Sequence, residues 1–274
     1  MTATRRFLPA DPADSLRAIV PIALLAAAAI VPILRLPVVA LLVGGTAVAV
    51  GRDAPVRWAW AAAIPVALSL AWEGWPAPLP ATDGSDCANP ASPVAMWRAG
   101  QALLVLGVLA TLAVLLGANR SSLSLRLPAR RHVRWAVIGF LVAGPLGLVL
   151  GPILARPFFG SVGYDITVIG AVLPALIFAA ANGILEEVTY RGALLGWSAR
   201  VLGVGPALVG QAVVFGLAHS GPDVTGLPIP LMLVLGLGGL LAGAIAVRTR
   251  SLLIPIAVHV GLDIPIYYAF ACRA

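Results

Sequence analysis

Apolar residues run along this chain in long blocks, and polar residues gather in the short links between them. A membrane-crossing helix needs about 20 predominantly apolar residues. Blocks of that kind fall at roughly 18–34, 36–51, 56–72, 97–117, 135–154, 174–200, 206–219, 229–247 and 251–270. The pattern predicts an all-α, polytopic helical membrane bundle of about eight to nine transmembrane helices. The longest polar link, residues 73–96, is rich in Pro, Gly, Ser and Asp and reads as a partly ordered loop. No internal repeat or soluble domain interrupts the blocks, so they are expected to form one bundle.

Composition agrees with the pattern. The chain is 60% hydrophobic and 11% charged, with a mean hydropathy of +0.99, whereas soluble domains carry about 25% charged residues. The net charge of +7 comes from 18 basic residues, all of them Arg. No basic helix face with interleaved aromatics accompanies them, so nucleic acid is not an expected partner; the arginines read as topology signals. Arg5, Arg6 and Arg17 precede the first span, Arg52 and Arg57 lie between the second and third, and Arg120, Arg126, Arg130, Arg131 and Arg134 crowd the link after the fourth. Arg200, Arg248 and Arg250 mark later links, while the alternate links hold only Arg35, Arg98, Arg156 and Arg273. The positive-inside rule then puts the N-terminus and the arginine-rich links in the cytoplasm, in a multi-pass protein of the cell (inner or plasma) membrane. No cleavable signal pattern precedes the first span, which is expected to be a retained signal anchor. Cys87 and Cys272 both fall on the outer side and could pair there, but sequence gives no distance, and two unpaired thiols is the preferred reading.

Ionisable side chains in a span cost about 2.5–3.5 kcal/mol each on insertion scales, so they mark function by default. The first five spans are nearly free of them. The sixth carries Glu186, Glu187 and Arg191, the seventh His219, and the ninth His259 and Asp263. If residues 201–205 form the turn between spans six and seven, Glu186 lies 14 residues before that turn and His219 14 after it, both about 21 Å from the helix ends. His259 and Asp263 follow Arg250 by 9 and 13 residues, about 13–20 Å deep from the same side. Three helices thus bring polar groups to one layer. Glu187 and Arg191 are four apart and can pair within the helix, with Glu186 rotated about 100° away. His259 and Asp263 share a face, as do Phe215 and His219. Ala179, Ala180, Ala181, Gly183, Gly192, Gly216 and Ala218 would let the helices approach closely. Gln211 reads as an interhelical hydrogen bond, Phe215 as packing against the site, His132 as part of the basic link, and Asp83, Asp165 and Asp223 as solvated loop residues.

The segments EEVTYRG (Glu186 to Gly192), FGLAH (Phe215 to His219) and HVGLD (His259 to Asp263) resemble the three signature motifs of the CPBP family, the CAAX proteases and bacteriocin-processing enzymes also called the Abi family. That pattern is EExxxR, FxxxH and HxxxN or HxxxD on separate membrane helices, and the likeness covers about residues 170–270. It implies an intramembrane endopeptidase acting on a membrane-associated protein or peptide, with an N-terminal tail (1–17), N-terminal transmembrane helices (18–160) and a catalytic helical core (161–274). It also implies that Glu186 and His219 activate a water, that Glu187 and Arg191 position the site, and that His259 and Asp263 serve the oxyanion. At the last position the chain has Asp where the commonest form has Asn. An ionised Asp cannot donate a hydrogen bond, so Asp263 is read instead as orienting His259 or as protonated.

The residue chemistry fits this reading. A buried carboxylate is a better general base near neutral pH, His219 can share the water and later supply the amine's proton, and His259 as a donor would stabilise the tetrahedral intermediate. No cofactor is expected. A zinc alternative would use Glu186, His219 and His259, a His2Glu set, although no HExxH motif is present. Two other functions compete: a transporter or proton relay, which would spread polar groups across the membrane rather than in one layer, and a catalytically idle immunity or scaffold protein.

Overall fold

The computed structural model describes residues 12–52, 54–74, 87–126, 128–159, 167–220 and 229–272. Ten α-helices account for most of them: α1 (Pro12–Ile30), α2 (Arg35–Gly51), α3 (Arg57–Glu73), α4 (Pro93–Leu115), α5 (Arg130–Phe159), α6 (Val172–Glu186), α7 (Leu195–Leu202), α8 (Val204–Ala218), α9 (Ile229–Thr249) and α10 (Leu253–Ala271). A π-helical turn, Glu187–Leu194, joins α6 to α7, so these run on as one rod and the described residues form nine rods, as the apolar blocks predict. Among the described residues six stretches are long and apolar enough to cross a membrane, and Val204–Ala218 and Leu253–Ala269 are shorter apolar helices.

The first span departs from its expected bounds. It begins at Pro12 and ends at Ile30, and Pro32–Leu34 then forms a single 3-10 turn before α2. Proline disfavours the helical region for the residue before it, and Val31 is accordingly extended, with φ −116° and ψ 96°. Asp83, Asp165 and Asp223, with Arg5, Arg6 and Arg273, lie outside the described residues.

The N-terminal helices pack directly on the C-terminal ones. α5 lies along α10, α4 along α6, and α1 against α3 and α8. A core cluster joins Leu25 of α1, Leu42 of α2 and Leu70 of α3 to Tyr190, Trp197 and Phe215. Lipid tails are as apolar as leucine, so close packing and interhelical hydrogen bonds hold such helices together. Ser220 Oγ donates to Ala29 O at 3.1 Å, and Gln211 Nε2 donates to Gly239 O at 2.9 Å, the interhelical role expected of Gln211.

The arginine-bearing links collect at one end. Leu125 and Ser251 form a bridge between the α4–α5 and α9–α10 links. Trp197 Nε1 donates to Ser122 Oγ at 3.2 Å, and the Arg200 guanidinium lies 3.8 Å from the Trp58 ring centre. The opposite end is closed covalently. Cys87 and Cys272 form a disulfide with Cα atoms 4.8 Å apart, and Tyr267 Oη donates to Cys87 O at 3.1 Å. This corrects the preferred reading of two free thiols: the loop before α4 is laid under the last turn of α10, a proximity across 185 residues that local pattern does not carry.

Candidate active site

α6 and α10 bring the central residues together, and a glycine sets how closely. A Cβ at Gly183 would stand 3.0 Å from Val260 Cγ2, 3.3 Å from Val260 N and 3.5 Å from His259 Cβ. One turn further along α6 the two carboxylates reach His259. Its Nδ1 lies 2.8 Å from Glu187 Oε1, and its Nε2 stands 3.5 Å from Glu186 Oε2 and 3.6 Å from Asp263 Oδ2. Glu187, Arg191 and Asp263 are buried, at 1%, 2% and 3% exposure.

The expected Glu187–Arg191 pair forms, with Nη1 3.2 Å from Oε1. Glu186, which forms no ion pair with Arg191 among the described residues, meets the α10 helix at His259, and Glu187 is shared between Arg191 and the same imidazole. Glu186 and Glu187 have ordinary α-helical dihedrals, and the π-helical stretch begins only at Glu187. The imidazole has a nitrogen on each side, so one ring can meet two neighbouring carboxylates. The widened turn is supported by Thr189, whose hydroxyl donates to Leu185 O at 2.8 Å; π-turns of this kind recur at functional sites.

His219 sits just past the end of α8. Its Nδ1 is 2.8 Å from Phe215 O. A carbonyl only accepts, so Nδ1 carries the proton and Nε2 is left as an acceptor in the neutral ring. No hydrogen bond joins His219 to Glu186 among the described residues. Phe215 links the two histidines instead, with ring centres 4.9 Å from His219 and 6.4 Å from His259. The Arg191 guanidinium covers Phe215 at 3.9 Å, and Tyr190 meets its edge at 5.1 Å. Phe215 is therefore the packing centre of the site, more extensively engaged than its motif position suggests. The zinc alternative would need Glu186, His219 and His259 around one point, and among the described residues no group of three or more His, Cys, Asp or Glu is arranged to hold a metal ion.

Sequence reasoning missed Asn182. It is buried, its Nδ2 donates to Asp263 Oδ2 at 2.8 Å, and its Oδ1 has no partner. The signal was present: Asn182 is four residues before Glu186 in an otherwise apolar run, hence on the same helical face.

Fold and site together define a multi-pass helical membrane protein with carboxylates, an arginine and an imidazole gathered inside the bundle. Residues 168–264 match the family model described as Rce1-like, type II CAAX prenyl endopeptidase. That segment spans about a third of the chain and takes in every candidate site residue, and the CPBP family recognised from the three motifs is the one it matches. Over that segment the chain is similar to a CAAX-type intramembrane protease family. No curated protein and no solved structure matches the chain.

Proposed function

We propose that this protein is a glutamate-dependent, metal-free intramembrane endopeptidase that hydrolyses a peptide bond of a membrane-associated protein or peptide. The observation that carries the reading is the convergence of Glu186, Glu187 and Asp263 on His259, inside the segment that matches the protease family. Glu186 takes a proton from water as the resulting hydroxyl adds to the scissile carbonyl. Glu186 Oε2 is buried without a hydrogen-bond partner in the protein, which leaves its lone pairs free for a water. The carbonyl oxygen becomes an oxyanion and accepts a hydrogen bond from His259. Since His259 Nδ1–H is given to Glu187, the donor at Nε2 is that of the imidazolium. The C–N bond then breaks, and the amine leaves with the proton taken by Glu186, relayed by way of His219 Nε2. Glu187 and Arg191 fix the ring plane of His259, and Phe215 spaces the two histidines.

The N-terminus and the arginine-bearing links face the cytoplasm in this reading. Two observations support that orientation: the arginines collect at one end of the bundle, and the disulfide lies at the other, where an oxidising exterior would keep it.

The test is cleavage of a membrane-anchored reporter peptide in proteoliposomes by the wild type, Glu186→Gln and His219→Ala. Removal of the base or of the proton relay is expected to lower kcat by about 10²–10⁴. Unchanged cleavage by both variants would sink the assignment.

A further inference from the structure

Three carboxylates approach one imidazole, but they are not held alike. Glu187 Oε1 makes a short bond to Nδ1, at 2.8 Å. Glu186 Oε2 and Asp263 Oδ2 both stand off Nε2, at 3.5 and 3.6 Å. For Asp263 the cause is visible. The same Oδ2 accepts the Asn182 amide at 2.8 Å. His259 and Asp263 are one turn apart on α10, and nothing in that spacing keeps the carboxylate from closing on Nε2. Asn182 reaches across from α6 and holds that oxygen by a shorter contact than His259 makes. Against an ionised carboxylate only the NH2 face of the amide can point inward, so Asn182 Oδ1 must face elsewhere, and it is buried without a partner. A side chain that served packing alone would not carry that orphaned oxygen; an apolar residue of the same size would fill the space without it.

We propose that Asn182 is a positioning residue of the peptidase site: by holding Asp263 Oδ2 away from His259, it keeps the Nε2–H of His259 available to the oxyanion. The inference rests on the endopeptidase reading above. Without the Asn182 amide, Asp263 closes on Nε2 and occupies the donor that the reaction needs. Other groups facing this point are Glu186 from α6, Glu187 from the π-turn and Arg191 through Glu187; none of them donates to Asp263 among the described residues.

The experiment is a crossed comparison. Asn182→Leu is introduced into the wild type and into Asp263→Asn, with Asn182→Ala as a second variant should Leu fail to fold. Folding is judged by thermal unfolding and by Cys87–Cys272 oxidation on a non-reducing gel. Complete loss of an oxyanion donor costs about 10²–10³ in kcat, so in the wild-type background kcat is expected to fall about tenfold or more, with KM within about twofold. In the Asp263→Asn background position 263 no longer carries a charge drawn to Nε2, and the same substitution should cost no more than about twofold in kcat. An equal loss in both backgrounds, a loss confined to KM, or no loss overturns the proposal. The two readings fail separately. Cleavage that persists in Glu186→Gln removes the peptidase assignment, whereas Glu186-dependent cleavage indifferent to Asn182 removes only this one.

Discussion

Replacing Arg191 by methionine removes one half of a buried ion pair and leaves a similar apolar volume behind. Arg191 and Glu187 each have 2% of their side-chain surface exposed, and their charged atoms are 3.2 Å apart. At an effective dielectric of about 20, two unit charges at that distance attract by about 5 kcal/mol. Breaking a buried pair from one side typically costs about 3–5 kcal/mol, because the survivor stays buried and uncompensated. His259 remains as a partner for Glu187, which places the expectation at the lower end, near 3 kcal/mol. Loss of the guanidinium from the Phe215 face, where it sits at 3.9 Å, adds about 1–2 kcal/mol. Arg191→Met should therefore destabilise by about 4 kcal/mol, and Glu187→Gln by about 3. The double variant should cost less than the sum by about 2 kcal/mol or more, since neither charge is then left alone. Equilibrium unfolding of the four proteins in mixed micelles with increasing SDS measures all three quantities. Strict additivity, or an Arg191→Met protein as stable as the wild type, would refute the view that this pair carries the burial cost of the site.

Gly183→Ala puts a Cβ 3.0 Å from Val260 Cγ2 and 3.3 Å from a backbone nitrogen, so α10 must shift by a few tenths of an ångström; activity per folded molecule should fall for Ala and collapse for Gly183→Val, and an active Val variant would show that this approach does not set the geometry. Replacing Cys87 and Cys272 by serine should destabilise the protein by about 2–5 kcal/mol while leaving Glu186-dependent cleavage measurable at low temperature; thermal unfolding with and without reductant checks this, and identical transitions would count against a stabilising bridge. Activity is expected to survive strong chelation, and a loss reversed by added zinc would overturn the metal-free mechanism.

Much of the architecture was legible because lipid imposes a simple rule. Backbone polar groups must be satisfied within each span, so apolar blocks report helices almost directly, and most boundaries fall within a few residues of expectation. The exception at Val31 is local chemistry, a proline effect that block length does not register. Helical arithmetic found the Glu187–Arg191 pair and the common depth of the site. It did not register the π-turn, because nothing in VTYRGAL announces a wider turn. It missed Asn182 for another reason: that residue is neutral, and a search for ionisable groups passes over it. The Cys87–Cys272 bridge was beyond local reasoning, since it is a fact about tertiary distance.

The π-turn has a consequence for how this rod is divided. α6 presents its face to α4 and α10, whereas α7, continuing the same rod, packs against α3 and α8. Between them the widened turn acts as a phase shifter: it advances the chain along the rod while turning it less than a regular helix would. Glu186 can then address α10 while Trp197, fully buried two and a half turns on, is seated against Trp58 of α3 at 5.6 Å. Neither half can be rotated to improve its own packing without dephasing the other. Deleting one residue within 187–194 would restore an ordinary pitch and force a choice between the acidic pair and the tryptophan anchor, so the length of this segment is as much a part of the site as its side chains.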